Sequence, residues 1–305
     1  MHEVEIPSWA VERALARRGR LHAFDDLDPA RTALVVVDLQ NGFMAPGQPA
    51  EVVQAREIVP NVNRLARVTR AAGGTVGWIQ NTITPETEKS WSVWFGHFAR
   101  EEWGPRMRQA FTPGDFGHAL YPELETAEGD LRVRKTRFSA LIQGSSDLDA
   151  ILRARGIDTL IVVGTATNVC CESTARDARM LNYKVFFVSD ANACRTDAEH
   201  NATLASLMVM FADVRSTDEM ITLLQSRAAP TAAATGVSAM ADTIEDRFAV
   251  ETELLGLKLL PGQEANLRAA YVVLREAIAL VGADYPFEAE PAHVFAPAPG
   301  AERRR

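Results

Sequence analysis

Short apolar runs rich in β-branched residues alternate along this chain with segments of helical period, and that alternation narrows the fold more than any other feature. Thr32-Ala33-Leu34-Val35-Val36-Val37 is a continuous run of the kind a strand needs when both its faces are covered. Further runs are Thr75 to Gln80, Leu131 to Arg134, Thr159 to Val163 and Lys184 to Val188, with a brief last strand around Val214. Helical patterns lie between them. One starts near Pro60, buries Val62, Leu65 and Val68, and ends at Gly73-Gly74; others run from Ser145 to Arg155 and from about Asn168 to Leu181. Thr196 or Asp197 caps a further helix carrying Leu204, Leu207, Met208 and Phe211. Ser216 with Glu219 makes a capping-box pattern for another, to about Leu224. Strand–helix alternation of this kind predicts a three-layer α/β/α fold around a mostly parallel sheet.

Two stretches break the pattern. Asn81 to Gly129 is long and irregular and carries Trp91, Trp94, Phe95, Phe98 and Trp103; such a loop inside an α/β domain reads as a lid, with most of its aromatics as core and one or two walling a substrate. Beyond Arg227 the sequence turns Ala/Thr/Pro-rich. The organisation this predicts is an α/β domain over 28–226, a linker over 227–237 and a small helical module over 238–299. The module's helical patterns are Ile244/Phe248/Leu255 and Leu267/Leu274/Ile278/Val281, followed by a Pro-rich tail.

With 40 Asp+Glu against 32 Lys+Arg, the chain lacks the positive charge that nucleic acid or an anionic membrane requires of a partner. Cys170, Cys171 and Cys194 are too few for a disulfide framework and have no zinc-finger spacing to histidine. No segment is apolar enough to span a bilayer, and Met1 to Arg20 lacks the apolar core of a signal peptide. A reducing, cytoplasmic setting is expected.

Ligands of open α/β sheets bind beyond the carboxyl ends of the strands. Asp38, Lys135 and Cys170 all fall there. A cysteine in the Gly164–Cys170 turn meets a helix N-terminus, whose dipole and free N–H groups lower a thiol's pKa. A nearby lysine lowers it further, an aspartate can carry the proton, and the same N–H groups can hold an oxyanion. Each residue also has an ordinary role, as turn former, solvated lysine or small core residue. Convergence on one edge is what favours chemistry.

Three stretches, Leu34-Val35-Val36-Val37-Asp38-Leu39-Gln40-Asn41-Gly42-Phe43, Lys135-Thr136-Arg137-Phe138-Ser139-Ala140 and Gly164 through Thr167-Asn168-Val169-Cys170-Cys171-Glu172-Ser173-Thr174 to Ala178, resemble in this order the isochorismatase-like cysteine hydrolases. The resemblance spans roughly Asp28 to Leu224. It implies a six-stranded parallel sheet and a triad of Asp38 as proton shuttle, Lys135 as the charge supporting a thiolate, and Cys170 as nucleophile. It further implies a cis bond before Ala166 and an oxyanion hole made by the N–H groups of Ala166 and Cys170. Cys171 stands where the family's pattern has valine, and the step of about 100° between helical neighbours turns it toward the core. Cys194 is a weaker candidate than either.

Within that family a thiol implies C–N hydrolysis rather than isochorismatase chemistry. Its metal-binding nicotinamidases carry Asp-x-His after the second strand; here the segment reads Gln80-Asn81-Thr82-Ile83-Thr84, so no metal or other cofactor is expected. Gln80-Asn81 and the Thr167–Thr174 motif are most similar to the ureidoacrylate amidohydrolase branch. That implies a small ureide or carbamoyl amide as substrate, cleaved through a thioester with release of ammonia. Another small amide is the alternative, and a catalytically silent scaffold the rival from a different class. Gln40, Asn81, Trp94 and Thr165 are the candidate substrate contacts; His97 and His118 are candidates for a substrate carboxylate, and His200 reads as structural. Leu255-Gly256-Leu257, Pro261 and the tail Phe287 to Phe295 resemble the small accessory subunit of amidase-signature carboxybiuret hydrolases, implying a separate amidase as partner. Packing on its own catalytic domain is the alternative, and a homo-oligomer is expected.

Overall fold

The structure, a computed structural model, describes residues 1–99, 102–228 and 267–271. The chain divides into two units, Met1–Ala229 and Pro230–Arg305, and the sheet belongs to the first. Six strands, β1 (Thr32–Val37), β2 (Thr75–Asn81), β3 (Leu131–Lys135), β4 (Thr159–Thr165), β5 (Lys184–Ala193) and β6 (Asp213–Arg215), pair in parallel in the order β3-β2-β1-β4-β5-β6. The direction in which strands are added reverses between β1 and β4. Crevices at such reversals are where open sheets bind ligands.

β1 is buried along its whole length because its alternate side chains enter two cores. Ala33, Val35 and Val37 pack with one layer of helices: α1 (Ser8–Arg18), α6 (Leu148–Ala154), α7 (Glu172–Met180) and α8 (Asp197–Met210). Leu34 and Val36 pack with the other, α3 (Val59–Ala71) and α9 (Thr217–Ala228). The caps read from sequence form: Thr196 Oγ1 accepts the Glu199 N–H, and Ser216 and Glu219 bond reciprocally. The α/β/α architecture is as expected, and among the described residues no helix is long and apolar enough to cross a membrane.

Several elements differ from the sequence reading. β2, β3, β4 and β5 all run past the ends expected from the sequence, most markedly β5, which continues from Val188 to Ala193 after a bulge. The Asn192 side-chain amide donates to the carbonyls of Val162 and Val188 at 3.0 and 2.8 Å, so the ladder resumes beyond the irregularity. The helix expected from Ser145 starts only at Leu148, because the Ser145 and Ser146 hydroxyls donate to the Ser139 and Ala140 carbonyls at 2.6 Å. α1 went unread, since it buries only Ala10 and Ala14 and has no strong apolar period. Among its described residues the stretch after Asn81 holds two α-helices, α4 (Pro85–Ser90) and α5 (Trp103–Ala110), besides short π and 3₁₀ turns, and with α2 (Asn41–Met44) it builds a small third core around Phe111. α9 continues through Arg227 and Ala228. The remainder of the linker, the helical module over 238–299 and the tail lie outside the described residues, apart from 267–271, which are helical.

Candidate functional site

Asp38 follows β1, Lys135 closes β3 and Cys170 lies in the π-helical turn Thr167–Cys171 between β4 and α7. Their side chains meet. Lys135 Nζ is 2.8 Å from Asp38 Oδ2 and 3.5 Å from Cys170 Sγ, and it donates to the Arg137 carbonyl at 3.0 Å. Asp38 Oδ1 accepts the Asn81 N–H at 3.0 Å, and the carboxylate is near enough to the Cys170 thiol to act on its charge. Asp38 and Lys135 are fully buried, and Cys170 is 5% exposed.

The backbone around these groups is tightly held. Asp38 has φ 55°, a left-handed conformation that costs an L residue about 1–2 kcal/mol. Its N–H donates to Ile79 and its carbonyl accepts from Gln40, so flanking elements fix that geometry. Gly164 has φ +124°, and a Cβ there would lie 2.1 Å from the Val37 carbonyl oxygen. Only glycine lets β4 pass β1 so closely just before the cysteine turn. The Thr165–Ala166 peptide bond is cis. Thr174 Oγ1 donates to the Cys170 carbonyl at 2.7 Å and accepts the Ala140 N–H, tying the turn to the segment after β3.

The electrostatics correct one expectation. The thiol was expected to be lowered by the helix N-terminus and Lys135; instead, burial and the Asp38 carboxylate push Cys170 up, outweighing Lys135. Burial also raises Asp38, against the pull of Lys135, Cys170 and Asn81. For Lys135 burial works downward, but Asp38 and Cys170 overcome it and hold the ammonium protonated. The resting arrangement is therefore a neutral thiol beside a protonated ammonium.

Cys170 forms part of the wall of a cavity of about 280 Å³. Trp91, Trp94, Phe95 and Trp103 of the lid make its apolar side, more aromatics than the one or two expected. Trp91 and Trp94 stack with centroids 5.0 Å apart, and the Trp103 indole donates to the Pro49 carbonyl at 2.9 Å. Asn81, Thr136 and Asn168 add polar groups, and Arg195 and Glu199 bring charge.

Of the four candidate substrate contacts, Asn81 and Trp94 line this cavity and two do not. Gln40 is fully buried, with Oε1 accepting the Asn81 N–H at 2.7 Å and its amide donating to the Asn81 and His118 carbonyls; it positions Asn81. Thr165 is also buried, its hydroxyl spent on the Ala193 carbonyl at 3.0 Å. His97 is exposed and His118 is buried against Thr82 Oγ1, and neither lines the cavity. Arg195, Thr136 and Phe138 were missed. Extending β5 past Val188 would have put Arg195 at the ligand-binding edge by the same rule that singled out Cys170.

The Isochorismatase domain family matches residues 32–219, more than half of the chain. The chain belongs to the isochorismatase family. It is a hydrolase. Among its relatives, ureidoacrylate amidohydrolase RutB of Rhizobium rhizogenes is 31% identical over 220 residues, covering 68% of this chain and 88% of that protein. The crystal structure of a cysteine hydrolase from Pseudomonas syringae pv. phaseolicola superposes with TM-score 0.59 at 29% identity, over 68% of this chain and 98% of that one. N-carbamoylsarcosine amidase from Thermoplasma acidophilum superposes with TM-score 0.50 at 27% identity, over 62% and 97%.

This isochorismatase-family chain also gathers donor atoms that its sequence scatters: those of His2, Cys194 and His200 lie within 4.8 Å of one another, all buried. Residues so far apart in sequence give the cluster no ligand-spacing signal. Its ring nitrogens are already engaged. His2 bonds Asp197 and the Cys194 N–H, and His200 bonds Thr167 and the Ser189 carbonyl.

Proposed function

We propose that this hydrolase cleaves a C–N bond of a small ureide or carbamoyl amide through a thioester on Cys170, releasing ammonia. The contact of Asp38, Lys135 and Cys170 beside the cavity carries this reading. As substrate approaches, the Cys170 thiol passes its proton to Asp38, whose raised pKa suits it to the task, and the thiolate is stabilised by Lys135. Sulfur attacks the carbonyl carbon, and the N–H groups of Ala166 and Cys170 receive the negative oxygen. Asp38 protonates the departing nitrogen as the C–N bond breaks. Water then attacks the thioester, Asp38 takes its proton, and the thiol re-forms.

The substrate class follows from the names of similar proteins, ureidoacrylate amidohydrolase and N-carbamoylsarcosine amidase, and from the walls of the cavity. Asn81, Thr136 and Asn168 offer hydrogen bonds to a carbamoyl head, Trp94 and its neighbours cover the carbon chain, and Arg195 suits a carboxylate. Ammonia release from a panel of ureides, N-carbamoyl amino acids and simple amides tests the reading. Turnover of a ureide with a trapped Cys170 adduct supports it; turnover confined to the simple amides, or ammonia release from none of the panel, overturns it. Because the cluster at His2 is spent on hydrogen bonds, activity is expected to survive exhaustive chelation. A catalytic domain over 28–226, an accessory module over 238–299 that docks on an amidase, homo-oligomerisation and a cytoplasmic location complete the proposal, all carried by the sequence.

A further inference from the structure

Residues 1–31 precede the span that matches the family, yet the second residue of the chain bonds Cys194, a residue of the cavity wall. The His2 side chain is 2% exposed. Its Nε2 accepts the Cys194 N–H at 3.0 Å, so Nδ1 carries the ring proton and donates to Asp197 Oδ1 at 2.6 Å. Cys194 directly follows β5, and Asp197 is the first residue of α8. His2 thus bonds both ends of the turn that bears Arg195, and Cys194, Arg195 and Glu199 all line the cavity. The His2 ring also stacks on His200, with centroids 4.4 Å apart and planes at 14°. His200 in turn bonds the Ser189 carbonyl of β5 and the hydroxyl of Thr167, where the Cys170 turn begins, each at 2.9 Å. A second pair of bonds straps the same segment to α8: Asn201 Oδ1 accepts the Glu5 N–H and its amide donates to the Glu3 carbonyl, both at 2.9 Å.

Among the described residues Arg195 is held only through its backbone, whose carbonyl accepts Gln54 Nε2 at 3.1 Å. Among the described residues its guanidinium makes no ion pair. The neighbouring Glu199 is committed to the helix cap, its carboxylate accepting the Thr196 hydroxyl at 2.9 Å. Of the two charges on this part of the wall, the negative one is bonded to the helix cap at Thr196, and the position of the positive one depends on a turn that the N-terminal segment clamps.

We propose that His2 is a positioning residue of the active site: by clamping the turn between β5 and α8 it holds the Arg195 guanidinium where it receives the anionic end of a substrate. This rests on the reading of the cavity as the substrate site and adds a negative charge to the substrate class. Two alkylating agents that differ in that charge test it without any assumption about turnover. Cys170 is labelled with iodoacetate, which carries a carboxylate, and with neutral iodoacetamide, and the ratio of the two rates is read by peptide mapping. Arg195→Ala is expected to lower the iodoacetate-to-iodoacetamide ratio about 1.5- to 5-fold, the size of one exposed ion pair. His2→Phe keeps the ring and its packing on His200 but has no nitrogen for the turn, and it should lower the ratio comparably while the iodoacetamide rate stays within about twofold. His2→Gln, which can still accept from Cys194 and donate to Asp197, should restore most of the ratio. An unchanged ratio in His2→Phe, or in Arg195→Ala, overturns the inference, as does a His2→Phe effect that Gln does not restore. Failure of every ureide in the turnover panel, with these ratios as expected, would sink the proposed reaction and leave this assignment standing.

Discussion

Between β1, β3 and the turn after β4, the charge on each of three buried groups depends on the other two. Lys135 lies between an acid at 2.8 Å and a sulfur at 3.5 Å, and the acid in turn acts on the charge of the thiol. Replacing Cys170 by Ser or Ala should reduce hydrolysis at least about a thousandfold, while Cys171→Val leaves it largely intact. Cys171 is fully buried in the core, as its helical position requires. Steady-state assays of the three variants decide this, and loss of activity only in the Cys171 variant reverses the assignment. Asp38→Asn makes a sharper test. It removes the carboxylate that raises the thiol and leaves Lys135, which lowers it. Cys170 should then react faster with iodoacetamide at neutral pH, on the order of tenfold for each unit the thiol falls, although amide turnover is lost. Slower alkylation in that variant would show that Asp38 acts chiefly by promoting the thiolate.

At the scale of elements, the site exists because strand ends converge. Gly164 is the point where β4 comes closest to β1, and an added Cβ would meet the Val37 nitrogen at 2.7 Å as well as its carbonyl oxygen. Neither atom belongs to a side chain that can rotate away. Gly164→Ala should therefore destabilise the protein by roughly 3 kcal/mol or more, read as a lower urea midpoint, and displace the Cys170 turn with matching loss of activity. A midpoint within experimental error of the parent would mean that the two strands can separate at no cost. The bulge in β5 has a similar consequence, since it carries the strand on to Ala193 and delivers Arg195 to the cavity.

For the molecule as a whole, stability should depend on pH through His200. Burial, reinforced by the proximity of His2, brings its pKa from 6.5 down to about 4. Between those values the unfolded chain binds the proton and the folded one does not, so stability is full above the upper value and is lost as pH falls toward the lower. One proton corresponds to about 1.4 kcal/mol per pH unit. His200→Gln should flatten the rise of the urea-derived stability across that window by up to this slope; an unchanged slope would place the acid sensitivity elsewhere. The core of the α/β unit is closed by Met220 and Leu224 of α9. A chain ending at Ala228 should accordingly fold and keep its hydrolase activity, as measured by thermal melting and ammonia release, and an aggregated product would show that the C-terminal residues complete the core.

What the sequence determined alone are the features that depend on near neighbours. The apolar run of β1, the caps at Thr196 and Ser216 and the inward turn of Cys171 follow from residues within one or two turns of each other, and all are present. Asp38, Lys135 and Cys170 were also legible, because strand ends can be located locally and a parallel sheet collects them on one edge. Tertiary structure decided the rest. Whether the thiol is raised or lowered depends on full burial and on partners such as Lys135, 35 residues away, and Gln40 and Thr165 had to be seen spending their polar groups on distant backbone. The contact of His2 with Cys194 spans 192 residues. Helical and strand periods report only the face a residue presents; which groups share a cavity, and how little water reaches them, is set by the closure of the whole sheet and its two helix layers.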